Sequence, residues 1–563
     1  MLHATGPLLT VDVGTGETHE SDVDHVLERF VGGRGVGTRL AHERIPFDAD
    51  PFGAENRLVF ATGPLQSSRT SFTGRLSCTG LSPLTGGLCS SNAGGFLSRN
   101  FGATGYSAVE LVGASDELVA VHVRDDGVRV EPVPDLRGAL TSEVTDHVEE
   151  RHGQGAEHVA CVGPAGENRV RFAAVMTSES RAFGRGGLGA VLGAKNVKLL
   201  TFDGDSTPDV DVGGEVSEDD ESGEAVADAV HRGAATSDSV MRRQGTAGLT
   251  TYADEVGALP TRYFSELAFE GAADVGGDAV EAKKYRKGTC SQCAFACKLP
   301  TRDEERGVET EGPEFETVMA FGSNAGVDDV VDVMHANDLC DEFGMDTISC
   351  GDTVSAYLAS EGAFGDVDLV TDLVGKIARR EGVGDLLAEG VDRAHGRLDV
   401  ENWTAKGMEF AAHDGRTLNG QALAFATSNR GADHLYGSMY VYEYPLVGPD
   451  DALDPTGFAG KAERLVETEN RNAVLDSAIC CRFSRDVVGE DRLAALLDTD
   501  VDSLQAVGAR VVDLERHFNN RRGFDRRDDA LPYDLPGFEA ALDEYYEKRG
   551  WDDDGTVPRS RVE

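Results

Sequence analysis

Three cysteines on one short turn, with no fourth beside them, constrain this chain most. Cys290, Cys293 and Cys297 in TCSQCAFACK form a C-x2-C-x3-C run. Such a turn can hold three corners of an iron–sulfur cubane, and the last corner then needs a ligand from elsewhere. The chain must therefore fold so that a distant segment returns to this turn. Cys480 and Cys481, adjacent and far downstream, are the candidates for the fourth ligand. A structural zinc site is the competing reading, but zinc usually takes two short pairs and no second CxxC pair is present. Radical enzymes that use S-adenosylmethionine carry the opposite order of spacings. Ten cysteines clustered in this way point to metal ligation in a reducing cytoplasm, not to a secreted disulfide framework.

At 563 residues the chain is too long for one core, and three or four domains are expected. Its 53 basic and 99 acidic residues leave a net charge of −46. Binding to nucleic acid or to an anionic membrane surface is a poor prospect for such a chain. Lysine supplies only 10 of the 53 basic residues. Acid excess with scarce lysine resembles proteins adapted to molar salt, as in haloarchaea. The charge then serves solubility and says little about the ligand. At about 1 M salt the Debye length is ~3 Å, so long-range steering of partners is switched off. No stretch approaches the ~20 apolar residues of a membrane span. The start, MLHATGPLLTVDVG, has no basic n-region or continuous apolar h-region, so no signal peptide is expected.

Hydropathy patterning divides the chain. Residues 1–205 alternate short β-like runs (LLTVDVGTG, YSAVELVG, LVAVHVRDDGVRVEPV, VKLLTF) with glycine turns, which favours antiparallel strands. The acidic stretch DGDSTPDVDVGGEVSEDDESGEA reads as a linker or solvated helix start. Beyond it, VVDVMHANDLCDEFG, VDLVTDLVGKIARREG and GKAERLVETENRNAVLDSAIC carry helical spacing. A second boundary falls near 415, and the tail WDDDGTVPRSRVE reads as loose. The fold class is α+β, with expected domains 1–205, 206–415 and 416–563.

Further strings occur in order along the chain. They are GGRGVGTRL, TGPL, SFTGRLSCTGLSPLTGGLCSSNAGG, GPAGEN, SRAFGRGGLGAVLGAKNVK, CSQCAFACK, EGPEFET, NDLCDEFGMDTIS, ATSNRGADHL and NAVLDSAICCRF. Together they resemble the tungsten-containing aldehyde:ferredoxin oxidoreductase family over nearly the full length. The resemblance implies a β-rich base for a bis-pterin cofactor carrying tungsten, or occasionally molybdenum, and two mainly helical domains closing over it. One [4Fe–4S] cluster would lie beside the cofactor. The implied activity is oxidation of a small-molecule aldehyde to a carboxylic acid, with ferredoxin as electron acceptor. Some members act on a sugar-phosphate aldehyde, and others are subunits reducing an aromatic thioester. An iron–sulfur electron carrier without pterin is the alternative from another class; it leaves the phosphate-cradling glycines unexplained.

The resemblance also assigns residues. Asn92 and the carbonyl of Ala182 would ligate a magnesium ion bridging the pterin phosphates, an oxygen-rich arrangement that suits this ion. Gly94, Arg181, Gly184 and Arg185 would line that pocket, its glycines letting backbone approach the phosphates. Arg75 would lie between pterin and cluster. Asp341, Met345 and Asp346 belong to a D-x-x-G-x-D string, and Asp476 to a second string that the family writes D-x-x-G-L-C. Their carboxylates would accept hydrogen bonds from the pterin rings. Here Ile479 and Cys480 replace glycine and leucine of the second string, and spacing from Asp476 makes Cys481 the fourth cluster ligand ahead of Cys480. Proton handling would fall to Glu314 or Glu316 and to His434. GGRGVG at 32–37 is a poor dinucleotide-binding candidate, because no βαβ unit surrounds it. Homodimers occur in the family, sometimes through a shared iron site, but no clear ligand set surrounds His335.

Overall fold

The alternating apolar runs of the first third become two mixed sheets with a shared core. The structure is a computed structural model that describes residues 1–178, 180–206, 212 and 225–562. The first sheet contains β1 (Leu8–Asp12), β2 (Thr18–Ser21), β3 (Leu58–Ala61), β4 (Arg75–Leu81), β5 (Leu88–Gly94) and β6 (Ala108–Val112). Their spatial order is β2-β1-β6-β3-β4-β5. The second contains β7 (Val119–Arg124), β8 (Gly127–Pro132), β9 (Val159–Cys161), β10 (Val175–Thr177), β11 (Arg181–Phe183) and β12 (Val197–Asp203), ordered β11-β10-β9-β12-β7-β8. Phe60 and Leu111 of one sheet join Val121, Phe183 and Phe202 of the other in a single buried cluster. The Phe60 and Phe183 rings meet edge to face at 5.6 Å.

The expectation of antiparallel strands holds for the Asp125-Asp126 hairpin, where β7 and β8 pair antiparallel. It fails for β1–β6 and β7–β12, which are parallel. Alternation reports which face a residue occupies, whereas direction is set by the connection, and both parallel pairs are joined by long crossovers. The acidic linker reading falls almost wholly on residues outside the described ones.

The helical expectations are borne out. Helix α1 (Gly33–Arg44) covers the outer face of the first sheet, and α2 (Thr141–His152) that of the second. The second half contains α3 (Val330–Phe343), α4 (Thr347–Glu361), α5 (Val367–Arg379), α6 (Lys461–Ala478), α7 (Val501–Arg521) and α8 (Phe538–Arg549). Asp329 and Asp346 cap α3 and α4, each accepting an N–H from two residues on, and Gly344 ends α3 in the left-handed region. The glycines of GGRGVG serve close packing. A Cβ on Gly33 would stand 2.2 Å from the Asp476 carbonyl oxygen, and one on Gly37 2.3 Å from Thr79 Oγ1. So α1 lies directly against the end of α6 and against β4.

The C-terminal tail is not loose. Trp551 is buried against Tyr545 and Tyr546, and its indole N–H donates to Asp513 at 2.8 Å; Arg561 reaches the same carboxylate at 2.9 Å. Its acidic composition hid one aromatic anchor. Among the described residues no helix is long and apolar enough to cross a membrane.

Candidate active site

Left-handed backbone at Gln292 (φ 58°) and Ala296 (φ 52°) folds the cysteine run into a tight loop. That loop is laid on the β4–β5 end. The Ser291 N–H donates to the Gly95 carbonyl at 2.9 Å, and a Cβ on Gly74 would collide with Ser291 backbone at 2.6 Å. Cys290, Cys293, Cys297 and Cys481 line one cavity together with Phe72, Arg75, Phe295, Lys298 and Phe483. Cys480 is buried and is not among the residues lining that cavity; its sulfur lies 3.6 Å from Ser484 Oγ. The turn after α6 causes this division. Ile479 is left-handed, Cys480 N–H returns to Leu475, and Cys481 N–H donates to the Phe72 carbonyl at 2.7 Å.

The four sulfurs fit a polynuclear group better than a single ion. Thiolates ~2.3 Å from a tetrahedral zinc stand ~3.8 Å apart. Among the described residues, the one set of three or more His, Cys, Asp or Glu ligand atoms all within 4.8 Å of one another lies elsewhere. Burial pushes Cys297 up to about 12 and raises Cys293. Burial acts the same way on Cys290, but Lys298, Arg181 and Arg75 outweigh it and its thiol is lowered. Ligation here must therefore displace protons.

Arg75 links this cavity to the expected phosphate cradle. Its Nη1 lies 3.8 Å from Cys481 Sγ, while Nε and Nη2 donate to the side chain and carbonyl of Asn92 at 2.5 and 2.8 Å. Asn92 sits on β5 and Ala182 on β11, edge strands of their sheets, where backbone groups lack a strand partner on one side. Asn92 Nδ2 is buried with no hydrogen-bond partner among the described residues. A Cβ on Gly94 would meet Cys290 Sγ at 3.1 Å and Arg75 Nη1 at 3.3 Å, whereas one on Gly184 would meet open space. Arg181 is paired with Glu311. Arg185 is tied to the second half of the chain. It reaches Asp346 at 3.2 Å and donates to the carbonyls of Ala432 and Glu409 at 2.8 and 2.6 Å, fastening β11 to the second half.

The two carboxylate strings lie at helix ends. Asp341 closes α3, and burial pushes its carboxyl well above the usual range, with Arg181 opposing. Met345 is buried and bridges to Ala173, which fixes the α3–α4 turn against the second sheet. Asp476 near the end of α6 pairs with Arg482 at 2.5 Å and Arg34 at 3.4 Å.

Glu314 and Glu316 separate clearly. Glu314 precedes the helix at Phe315–Thr317, and its Oε2 accepts from the N–H and hydroxyl of Thr246 at 3.1 and 2.6 Å. Glu316, two residues on and ~200° around the helix, faces the other way. Its Oε2 accepts the Ala412 N–H at 2.8 Å, and its Oε1 lies 3.4 Å from His434 Nε2 and 3.5 Å from His413 Nε2. Burial raises Glu316 to about 7. Burial also lowers His434 to about 3, with Asp433 opposing and Arg185, Arg430 and Arg482 reinforcing, and it lowers His413 well below its ordinary value. His434 is presented by a capped turn, since Asp433 accepts from the N–H groups of Leu435 and Tyr436 and pairs with Arg430 at 2.5 Å. The result is a carboxyl that titrates near neutrality between two uncharged imidazoles. It can give or take a proton at neutral pH.

Sequence reasoning missed His413 and Arg34. His413 stacks on Tyr440 at 3.7 Å with 4° between the planes, and its only sequence cue was a place in the glycine-rich HDGRTLNG segment. Arg34 is fully buried, paired with Glu515 and set over the Tyr436 ring at 3.4 Å. A cleft of about 760 Å³ opens beside Tyr440; Leu435, Ser438, Arg471, Arg482 and Arg485 are in its wall.

Comparison with known proteins bears on this arrangement. A family model described as aldehyde ferredoxin oxidoreductase, N-terminal domain, matches residues 8–204, and one described as aldehyde ferredoxin oxidoreductase, domains 2 and 3, matches 224–563. The tungsten-containing aldehyde ferredoxin oxidoreductase of Pyrococcus abyssi is 32% identical over 600 residues, covering 99% of this chain and 98% of that protein. The enzyme of the same name from Pyrococcus furiosus is 31% identical over 601 residues, with the same coverage. More distant is the WOR-like subunit of the aliphatic sulfonate oxidoreductase of Pyrococcus furiosus, 26% identical over 630 residues, 99% of this chain and 96% of that one. In fold the chain is similar to the active site complex BamBC of benzoyl coenzyme A reductase, with a TM-score of 0.83 at 21% identity, covering 99% of this chain and 96% of the other.

Proposed function

Because this chain belongs to the aldehyde ferredoxin oxidoreductase family and is an oxidoreductase, we propose that it oxidises an aldehyde to the carboxylic acid at a tungsten (or molybdenum) bis-pterin centre and delivers electrons to a ferredoxin. The observation that carries the reading is the meeting of Glu316 with His434, whose ring lies 6.3 Å from that of Tyr440 in the cleft wall. The curated relatives carry tungsten by name.

The donor set fits the cofactor. Buried Asn92 Nδ2 has no partner among the described residues, a donor that a phosphate oxygen would satisfy. A Cβ on Gly184 would meet nothing within 4 Å, so there is open space beside this backbone. Asn92 and Ala182 would hold the bridging magnesium, Gly94 and Arg181 would line the phosphates, and Asp341, Asp346 and Asp476 would take the pterin ring N–H groups. Cys290, Cys293, Cys297 and Cys481 would hold the [4Fe–4S] cluster, with Arg75 between the two groups. When bound, the metallopterin supplies a Lewis acid and a two-electron acceptor.

The chain's own residues handle substrate and proton. The cleft admits the aldehyde past Tyr440. Turning the aldehyde and one water into the acid releases two electrons, which the two-electron acceptor would take, and two protons. One proton Glu316, ionised above about pH 7, accepts, while the other leaves to solvent. His434, neutral, orients that carboxylate. Glu316, in the proposed domain 206–415, meets His434, in the proposed domain 416–563. Four of the ten lysines (Lys283, Lys284, Lys287, Lys298) flank the cysteine run in sequence, and Arg286 and Lys287 among these neighbours are exposed. In so acidic a chain this basic rim suits an acidic ferredoxin in short-range contact.

Protein purified without oxygen, analysed for metal and pterin and assayed with aldehydes and a viologen acceptor, tests the reading. Tungsten or molybdenum with aldehyde-dependent dye reduction is expected. Metal-replete protein that turns over no aldehyde would overturn it.

A further inference from the structure

The set of ligand atoms that does crowd together lies far from this machinery, on the outer face of the second sheet. His122 (β7), Glu131 (β8) and His152 (last residue of α2) place their ligand atoms within 4.8 Å of one another. Glu131 Oε1 stands 3.2 Å from His122 Nε2 and 3.3 Å from His152 Nε2. Ligand atoms ~2.0–2.1 Å from a common ion stand ~2.9–3.4 Å apart, between octahedral and tetrahedral geometry. The two measured edges fall inside that range.

The surroundings also suit ligation. His122 is 7% exposed, and its Nδ1 is 2.8 Å from the hydroxyl of Thr201, directly opposite on β12. With that nitrogen donating to Thr201, Nε2 is left as a lone pair aimed at Glu131, the outer hydrogen bond that orients metal-binding histidines. The other Glu131 oxygen is held by Arg129 at 2.8 Å, which leaves Oε1 for the ion. Arg129 also lies 3.5 Å from His152 Nδ1, but its side chain is exposed and needs only the carboxylate as partner. His152 ends α2, where the helix dipole favours a cation.

We propose that His122, Glu131 and His152 bind one divalent transition-metal ion of the zinc, cobalt or nickel class, pinning the end of α2 to the β7–β8 hairpin. Two imidazoles and one carboxylate on three separate elements leave the remaining coordination positions to water. The site is independent of the proposed reaction, so the test reads metal content and position and not turnover.

Intact enzyme is dialysed against micromolar zinc chloride, bound zinc is counted per chain, and crystals soaked in the same salt are examined at the zinc absorption edge. Wild type is expected to hold one more zinc than His152→Ala or Glu131→Gln, with a tenfold or greater loss of affinity in either variant. The anomalous peak should lie between the two Nε2 atoms and Oε1. Glu131→Gln preserves shape should His152→Ala fold poorly. Equal zinc in all three proteins, or a peak elsewhere, marks an adventitious ion and overturns the proposal.

Discussion

Replacing Glu316 by glutamine should separate stability from activity in opposite directions. Burial lifts this carboxyl from the ordinary 4.5 to about 7. Between those values the folded chain keeps a proton that the unfolded chain gives up, so stability falls as pH rises through the window. The contribution is complete below about pH 4.5 and gone above about pH 7. A difference of about 2.5 units at 1.36 kcal/mol each amounts to about 3 kcal/mol. Glutamine cannot ionise, and its carbonyl can still accept the Ala412 N–H. Urea unfolding of wild type and Glu316→Gln at pH 5 and pH 8.5 should therefore show the variant gaining up to about 3 kcal/mol over wild type at the higher pH and much less at the lower. Activity should move the other way. A lost general base costs roughly 10²–10⁴ in rate, and the wild-type kcat/KM should climb through pH 7 to a plateau. A stability difference independent of pH, or a variant keeping more than a tenth of its activity, would refute the assignment of a buried, titrating base.

Three further outcomes follow from the same geometry. Cys481→Ser should abolish the brown chromophore and lower iron content by four atoms per chain, whereas Cys480→Ser should keep both and cost about 1–3 kcal/mol for burying a hydroxyl among apolar groups; iron analysis of the two variants decides it. Gly33→Ala introduces a Cβ 2.2 Å from the Asp476 carbonyl at a residue with φ +36°, and should lower stability by about 2–4 kcal/mol in thermal or urea unfolding. Lys287→Glu, in the exposed rim of the cysteine loop, should raise KM for an acidic ferredoxin several-fold and leave viologen reduction unchanged; equal effects on both acceptors would remove the docking argument.

The parts of this molecule legible from its sequence are those in which short-range chemistry fixes the outcome. Thiolate spacing announces the cysteine loop, helical periodicity announces α3, α5 and α6, and a DDG hairpin announces β7–β8. Strand direction was not legible, because the pairing of β1 with β6 depends on a crossover and not on either strand. The Glu314–Glu316 ambiguity had the same origin. Both carboxylates belong to one string, and only the partners that folding brings up, Thr246 for one and two histidines for the other, distinguish them. Arg185 shows a third kind of limit: the resemblance assigns it to the phosphate pocket, and its sequence did not announce that its guanidinium also meets Asp346 and two carbonyls from the second half of the chain.

Ile479 shows why a broken motif can leave a site intact. The family's form has glycine there, and the turn after α6 is left-handed, with φ 65° and ψ 41° at Ile479. A β-branched residue in that region costs about 1–2 kcal/mol that glycine escapes. The isoleucine side chain is fully buried, a contribution of about 1.5–3 kcal/mol that offsets the strain. Its room comes from the facing helix, because its Cδ1 lies 2.8 Å from where a Cβ on Gly33 would sit. Glycine at 33 thus makes isoleucine at 479 tolerable, and the two positions are one packing decision. Cys480, in the family's leucine position, is likewise an apolar filler, since a buried thiol behaves as a small hydrophobe. Cys481, one residue on, lines the same cavity as Cys290, Cys293 and Cys297. The departures change what fills the core behind the turn, not what the turn presents in front of it.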